Sequence, residues 1–303
     1  MFHSEEEALG SQKITLFLMT KKGFSVLSNL IEKGMAQVIY SVVSARDKSI
    51  EEDYYADIKA LWLENKINFY NKNDDYEIVT KYAFAVSWRW LLHYEKIKLI
   101  VFHDSILPKY RGFNPLVSYL LNKEREIGVT ALFASEEFDA GPIIAQGSAE
   151  ISYPIKLAEA IDVLCEIYET LSYEIATKII EDKVIDSHEQ DREKVSYSIW
   201  RDEQDYKIDW NKSSQEISLS IDSLGPPYLG ASCIANGRKI RIYDAVPHKD
   251  LKIENRTPGK LLFKDGIHPV IICGTGLLKI TDAVCDEAKQ SILPLNKLKI
   301  RFE

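Results

Sequence analysis

Cysteine is scarce in this chain of 303 residues. The four present, Cys165, Cys233, Cys273 and Cys285, lie far apart and never as a CxxC pair. That spacing argues against a zinc site or a disulfide framework and suits buried thiols in a reducing compartment. No apolar run approaches the roughly 20 residues needed to span a bilayer. The opening stretch, Met1 to Gln12, is acidic and poor in apolar residues, unlike a signal peptide. A cytoplasmic protein without a membrane partner is expected.

Several familiar chemical signatures are missing too. No GxGxxG follows the first apolar run and no GxxxxGK[ST] occurs, so the common dinucleotide and P-loop cradles are absent. HExxH and GxSxG are also missing, which leaves no zincin helix and no nucleophile elbow. There are no repeats and no low-complexity tracts. No metal is expected.

Net charge is −8 and unevenly spread. From Trp200 onward 16 Lys and Arg face 14 Asp and Glu, while the part before it holds 22 against 32. Nucleic-acid binding depends on clustered cations that displace counterions. The larger, acidic part repels a polyanion, so nucleic acid is not the expected partner. A small charged ligand held by a few local cations remains allowed.

What is present reads as two domains. Through residue 199, short apolar runs ("KITLFLM", "QVIYSVV", "INFY", "AFAVSW", "LIVFH", "GVTALFAS") alternate with helical patterns such as "GFSVLSNLIEKG", "IEEDYYADIKALWLENK" and "NPLVSYLLNKE". A long helical stretch, "IKLAEAIDVLCEIYETLSYEIATKIIED", closes the series. Alternation of this kind predicts an α/β domain with a Rossmann-like parallel sheet, whose ligands bind at the carboxyl ends of the strands. From residue 200 to 303, short β runs separated by Gly, Pro and Asn turns predict a small mainly-β domain, an antiparallel barrel or sandwich.

The chemistry concentrates where "LIVFHDSILPKYRGFNPL" leaves its strand. His103 stands at the strand end, and Asp139 follows 36 residues later in the turn "EEFDAGPII". Read as a strand–helix–strand unit of a parallel sheet, that interval brings both to one cleft edge. A histidine supported by a carboxylate is a general base with a fixed tautomer. The plainer alternative is that His103 ends a strand and Asp139 caps the turn before Gly141.

The combination "HDSILPKYRGFNP", "GVTALF" and "FDAGPIIAQ" resembles the core of the methionyl-tRNA formyltransferase family. Its carboxyl-terminal domain is resembled by "KIDW", "LGPPYLGA" and "TPGKLL". The likeness covers nearly the whole chain, and "HDSILPKYRGF" is closest in character to the sugar N-formyltransferase branch. It implies a formyltransferase domain followed by an OB-like domain, with N10-formyltetrahydrofolate as co-substrate and His103 and Asp139 as catalytic residues. It further implies a folate pocket around Ser87, Trp88, Arg89, Trp90, Ser105 and Phe138. Tyr110, Arg111, Gly112, Asn114, Trp200 and Arg201 become candidates for the acceptor. The structural alternatives are a core role for Trp88 and Trp90 and a loop-pinning salt bridge for Arg111.

The acceptor implied by the sugar branch is a nucleotide-linked amino deoxysugar, destined for surface polysaccharide or a nonulosonic acid. The alternatives are a methionyl-tRNA formyltransferase and a non-catalytic binding protein of the same fold. A homodimer is common in the sugar branch. One departure from the family pattern is notable: an asparagine, whose amide can support the formyl oxygen, is expected two residues before the histidine, and here that position is Val101. Asn114 and a backbone N–H are candidate substitutes. Asp104, where the family commonly has a small residue or Pro, is expected to face away from His103 and to be structural.

Overall fold

The computed structural model describes residues 12–92 and 97–303. The reading of the acidic opening stretch therefore lies almost wholly outside the described residues. The first sheet is built from β1 (Ile14–Leu18), β2 (Ile39–Ser44), β3 (Asn68–Asn71), β4 (Tyr82–Val86) and β5 (Lys98–His103), followed after a short β6 (Arg111–Gly112) by β7 (Glu126–Phe133) and β8 (Ile143–Glu150). Their spatial order is β3-β2-β1-β4-β5-β7-β8. β1 and β4 are buried along their whole length, as strands covered on both faces must be.

Helix α1 (Thr20–Glu32) follows β1, and α2 (Tyr55–Asn65) joins β2 to β3. Helix α2 begins later than "IEEDYYADIKALWLENK" suggests, because Tyr54 takes a left-handed conformation and starts the turn there. The short α3 (Pro115–Leu121) precedes β7, and the long α4 (Leu157–Ile180) packs against α1. Leu16, Val26, Leu30, Phe84, Leu164 and Ile175 are among the residues of this core. At about 25 cal/mol per Å² of apolar surface, it is the main favourable term holding this half together.

The sheet is mixed rather than wholly parallel. β1 to β5 pair in parallel, but β7 is antiparallel to β5 and β8 is antiparallel to β7. The only helix in the link from β5 to β7 is the seven-residue α3, and the link stays at the carboxyl end of β5 instead of crossing back. β8, "IIAQGSAE", went unread as a strand because its outer residues are half exposed and show little apolar character.

The second sheet comprises β10 (Ala231–Ala235), β11 (Arg238–His248), β12 (Leu261–Asp265), β13 (His268–Ile272) and β14 (Leu277–Cys285), in the order β10-β11-β14-β13-β12. A short β15 (Gln290–Ser291) pairs with β14, while β9 (Tyr197–Ser198) pairs with β6. The chain end closes the sheet into a barrel: Leu261 N donates to Ile300 O at 3.0 Å, and Ile234 N to Glu303 O at 2.8 Å. Helix α5 (Ser214–Leu224) carries a capping box between Ser213 and Glu216, a pattern unread in the sequence. It also shows how closely the halves are joined. Ile217 and Ile221 pack into the barrel core, whereas Leu224 packs into the first core. The covalent change of pattern near residue 200 is thus not a clean division in packing.

Candidate functional site

Three chain segments converge at the carboxyl ends of β1, β4 and β5. Thr20 and Ser87 follow β1 and β4, both with positive φ (61° and 54°), and Thr20 Oγ1 donates to Ser87 Oγ at 3.2 Å. His103 ends β5, nearly buried at 8% exposure. Asp139, with φ of 56°, comes from the β7–β8 loop. Left-handed backbone at residues other than Gly costs about 1–3 kcal/mol each and is tolerated where the surroundings fix it.

The antiparallel β7 changes how Asp139 reaches His103. Phe133, at the end of β7, lies opposite Ile100, whereas His103 lies opposite Thr130. The loop therefore starts away from the carboxyl end of β5 and must fold back toward it. Three contacts hold that return. Gly112 N donates to Asp139 Oδ2 at 2.8 Å. Gln190 Nε2 donates to the carbonyls of Asp139 (2.7 Å) and Gly141 (2.9 Å). Gly141 brings its backbone so close that an added Cβ would stand 1.8 Å from Phe133 O. Gln190 is a site residue that the motif reading missed, since a lone Gln in a polar stretch carries no local signal.

His103 is oriented from both sides. Its Nε2 lies 2.9 Å from Tyr110 O, and its Nδ1 lies 3.5 Å from Asp139 Oδ1. A carbonyl oxygen only accepts, so the neutral ring carries its proton on Nε2 and presents a lone pair at Nδ1. Nδ1 and the carboxylate are then two acceptors facing one another. A proton delivered to Nδ1 would lie between the ring and the Asp139 carboxylate.

These groups sit in a cleft of about 950 Å³. Ser87, Trp88, Arg89, Trp90, Gly112, Asn114, Phe138, Trp200 and Arg201 all line it, together with His103 and Asp139. Trp88 and Trp90 meet edge to face at 5.0 Å, and Trp88 also packs on Phe17. Arg89 is committed to Asp47, with Nη1 to Oδ1 at 3.0 Å. Phe138 and Trp200 are exposed at the rim. The second domain closes one wall with Tyr206 and the loop Pro226–Leu229, whose Pro227 O accepts from Glu51 N at 3.0 Å.

Three candidates do not line the cleft. Ser105 is fully buried and donates to Lys109 O at 2.8 Å, bracing the turn after β5. The Tyr110 ring packs against Tyr119 and its hydroxyl donates to Glu124 Oε1 at 2.9 Å, so only its carbonyl serves the site. Arg111 is buried, and its Nε and Nη2 donate to Gln190 Oε1 at 3.0 and 2.7 Å. Through Gln190 it steadies the Asp139 loop and leaves no donor fork for a ligand. Burial decided each case.

Asp104, one residue past the end of β5, also lines the cleft, and its side chain is committed elsewhere. It pairs with Lys22 Nζ and accepts from Tyr168 Oη at 2.6 Å. Burial pushes the Asp104 carboxyl up and the Lys22 ammonium down, but their mutual attraction wins. Asp104 is left below, and Lys22 above, its ordinary value. Among the described residues no group of three or more His, Cys, Asp and Glu could hold a metal ion, and no helix is long and apolar enough to cross a membrane.

Two family patterns match: formyl transferase over residues 24–160, and the formyl transferase C-terminal domain over residues 201–293. A methionyl-tRNA formyltransferase of Lactococcus lactis subsp. cremoris (strain MG1363) is 29% identical over 181 residues, covering 59% of this chain and 55% of the relative. The chain thus spans about half the length of that relative. Among solved structures, WlaRD, a sugar 3N-formyl transferase with dTDP and 5-N-formyl-THF, superposes with a TM-score of 0.63 at 22% identity, covering 94% of this chain and 98% of that one. The N-formyltransferase from Helicobacter canadensis, in complex with folinic acid and dTDP-3-aminofucose, gives 0.63 at 19% identity, covering 90% and 99%. At such identities the superpositions establish a shared fold. The two matched domains, in this order over most of the chain, settle the affiliation: the chain belongs to the formyltransferase family.

Proposed function

We propose that this protein transfers a formyl group from N10-formyltetrahydrofolate to the primary amine of a nucleotide-linked amino deoxysugar. The observation that carries this reading is the His103–Asp139 pair, set to accept a proton inside a cleft that both domains line. In the transfer, the amine lone pair attacks the formyl carbon and the carbonyl π pair moves onto oxygen. The amine's proton passes to His103 Nδ1, Asp139 stabilises the imidazolium, and the same proton returns to the folate nitrogen as its bond to the formyl carbon breaks. Atoms and charge balance without a metal or an oxidant.

The cleft fits two small ligands. Its volume is at the upper end of the about 300–1,000 Å³ common for such sites. In this reading Trp88, Trp90 and Phe138 give the donor's planar rings apolar surface, with Ser87 beside them. Arg201 and Trp200, at the wall made by residues 200–303, face the nucleotide: a guanidinium suits a diphosphate and an indole suits a base. The residues through 199 supply the proton chemistry. The deficit of cations before Trp200, 22 against 32 acidic residues, favours a small acceptor over a tRNA.

The deciding experiment incubates the protein with N10-formyltetrahydrofolate and, in parallel, a panel of dTDP- and UDP-linked amino sugars and charged initiator tRNA. Mass spectrometry should find one added formyl group on a nucleotide sugar. Formylation of the tRNA alone would reverse the choice of acceptor. Formylation of neither would remove the reading.

A further inference from the structure

The cleft must supply something beyond a base. As the amine attacks, negative charge develops on the formyl oxygen, and loss of a single donor aimed at such an oxygen costs about 10²–10³-fold in rate. The residue beside His103 on the same face of β5 is Val101. It lines the cleft but packs against the cluster of Phe17, Ala85 and Leu99 and against that of Leu107, Leu132 and Ile143, and its side chain has nothing to donate. The donor must come from elsewhere.

Most polar groups of the cleft are already committed. Lys22 pairs with Asp104, Lys21 with Asp162 and Arg89 with Asp47, and the Thr20 hydroxyl donates to Ser87 Oγ. The Trp88 Nε1–H has no partner among the described residues, but it is buried, sealed from the open space of the cleft. Arg201 lies on the wall made by the second domain, not on the 112–139 contact that flanks His103.

Asn114 is different. It lies two residues beyond Gly112, whose amide holds the Asp139 carboxylate at 2.8 Å, so its segment is tied to the His103–Asp139 pair. Its φ of 48° is left-handed, and although it stands at the N-cap of α3 its side chain does not cap the helix. An N-cap asparagine ordinarily spends its side-chain oxygen on the helix amides. Here that oxygen instead accepts from Tyr228 Oη at 3.3 Å. That is the only hydrogen bond the Tyr228 hydroxyl makes among the described residues. Burial raises the Tyr228 phenol, with Lys22 opposing, so the hydroxyl stays protonated and donates at neutral pH. With its oxygen engaged, Asn114 has its two Nδ2 hydrogens left for the cleft.

We infer that Asn114 Nδ2 is the donor to the developing formyl oxygen, and that Tyr228, reaching in from the second domain, is the positioning residue that turns the amide the right way. This rests on the formyl-transfer reading above. It gives the second domain a part in the chemical step, since the loop carrying Tyr228 is docked on the first domain through the Pro227–Glu51 backbone bond.

The test measures kcat and KM for formyl transfer in wild type, Asn114→Ala, Asn114→Asp, Tyr228→Phe and His103→Ala. Asn114→Asp retains the acceptor for Tyr228 while removing the donor, so it separates chemistry from folding. Asn114→Ala and Asn114→Asp are each expected to lower kcat by about 10²–10³-fold with KM changed about twofold or less. Tyr228→Phe is expected to lower kcat by about tenfold, again at nearly constant KM. In the Asn114→Ala background, Val101→Asn should recover about tenfold or more, because it restores a donor on the face that His103 shares.

Near-native kcat in Asn114→Asp, or a loss confined to KM, overturns the assignment. If His103→Ala is inactive in the same assay, the formyl-transfer reading survives that failure. If His103→Ala keeps the wild-type rate, the reading itself falls, and the inference with it.

Discussion

The Asp139 carboxylate accepts a 2.8 Å hydrogen bond from the Gly112 amide while its other oxygen lies 3.5 Å from His103 Nδ1. One oxygen is thus fixed by backbone and the other is left for the histidine. The loop is further held through Gln190 and Arg111, so the carboxylate has little freedom to turn away. At 3.5 Å the two groups stand close without a short hydrogen bond between them.

Replacing either member of that pair should therefore strike the chemistry and spare the fold. His103→Ala and Asp139→Asn are each expected to lower kcat by about 10²–10⁴-fold. Circular dichroism and Tm should stay close to wild type. Turnover near the native rate in both variants would remove the pair from the mechanism.

Gly112 carries a double constraint. Its φ is +101°, and an added Cβ would stand 2.6 Å from Ser198 O across the β6–β9 pairing. Gly112→Ala is expected to cost about 1–3 kcal/mol of stability and to loosen the anchor of Asp139. Thermal denaturation should show the lowered Tm and single-turnover kinetics the slowed transfer. An alanine variant with unchanged Tm would contradict the steric argument.

The Lys22–Asp104 pair makes a pH-dependent contribution of known sign. The Asp104 carboxyl is held below its ordinary value chiefly by Lys22, against burial, so its share of stability is present above the unfolded carboxylate pKa. That share is lost as pH falls through the depressed folded value. Lys22 is raised, so its share persists until pH climbs through its folded value above the ordinary lysine range. Asp104→Asn strands a buried ammonium and should destabilise by about 3–5 kcal/mol at neutral pH. The deficit should shrink in strongly acidic buffer, where wild-type Asp104 is itself protonated. Chemical denaturation across pH reads both limbs.

Asp222 behaves oppositely. It is 8% exposed on α5, where burial pushes its carboxyl up to about 6, with Lys156 opposing and Asp244 and Glu159 reinforcing. Its unfolded value is near 3.8. Between those two values the folded chain holds the extra proton, so stability falls as pH rises through that window. Asp222→Asn should stabilise the protein by about 1–3 kcal/mol at neutral pH and by little at about pH 4. Equal gains at both would show that charge is not the cause.

Composition and spacing alone determined a good deal about this protein. The alternating apolar runs specified the first five strands and their helices, because buried parallel strands need near-continuous apolar sequence. The turn-separated runs after residue 200 likewise specified a small β domain. His103 at a strand end and Asp139 beside Gly141 were legible because strand ends and glycine turns leave local marks.

Tertiary structure decided what depends on contacts far apart in sequence. Ser105, Tyr110 and Arg111 share a motif with His103, yet their side chains go to the Lys109 carbonyl, to Glu124 and to Gln190 rather than into the cleft. Gln190 lies 51 residues from the Asp139 carbonyl it steadies, and Tyr228 lies 114 residues from Asn114. The antiparallel run of β7 goes with a link to β5 whose only helix, the seven-residue α3, is too short to carry the chain back along the sheet, and it is what makes Asp139 approach by a loop that doubles back. A motif records which side chains travel together along the chain. Only folding fixes which of them face the cleft, because burial and partner geometry are properties of the whole packed molecule.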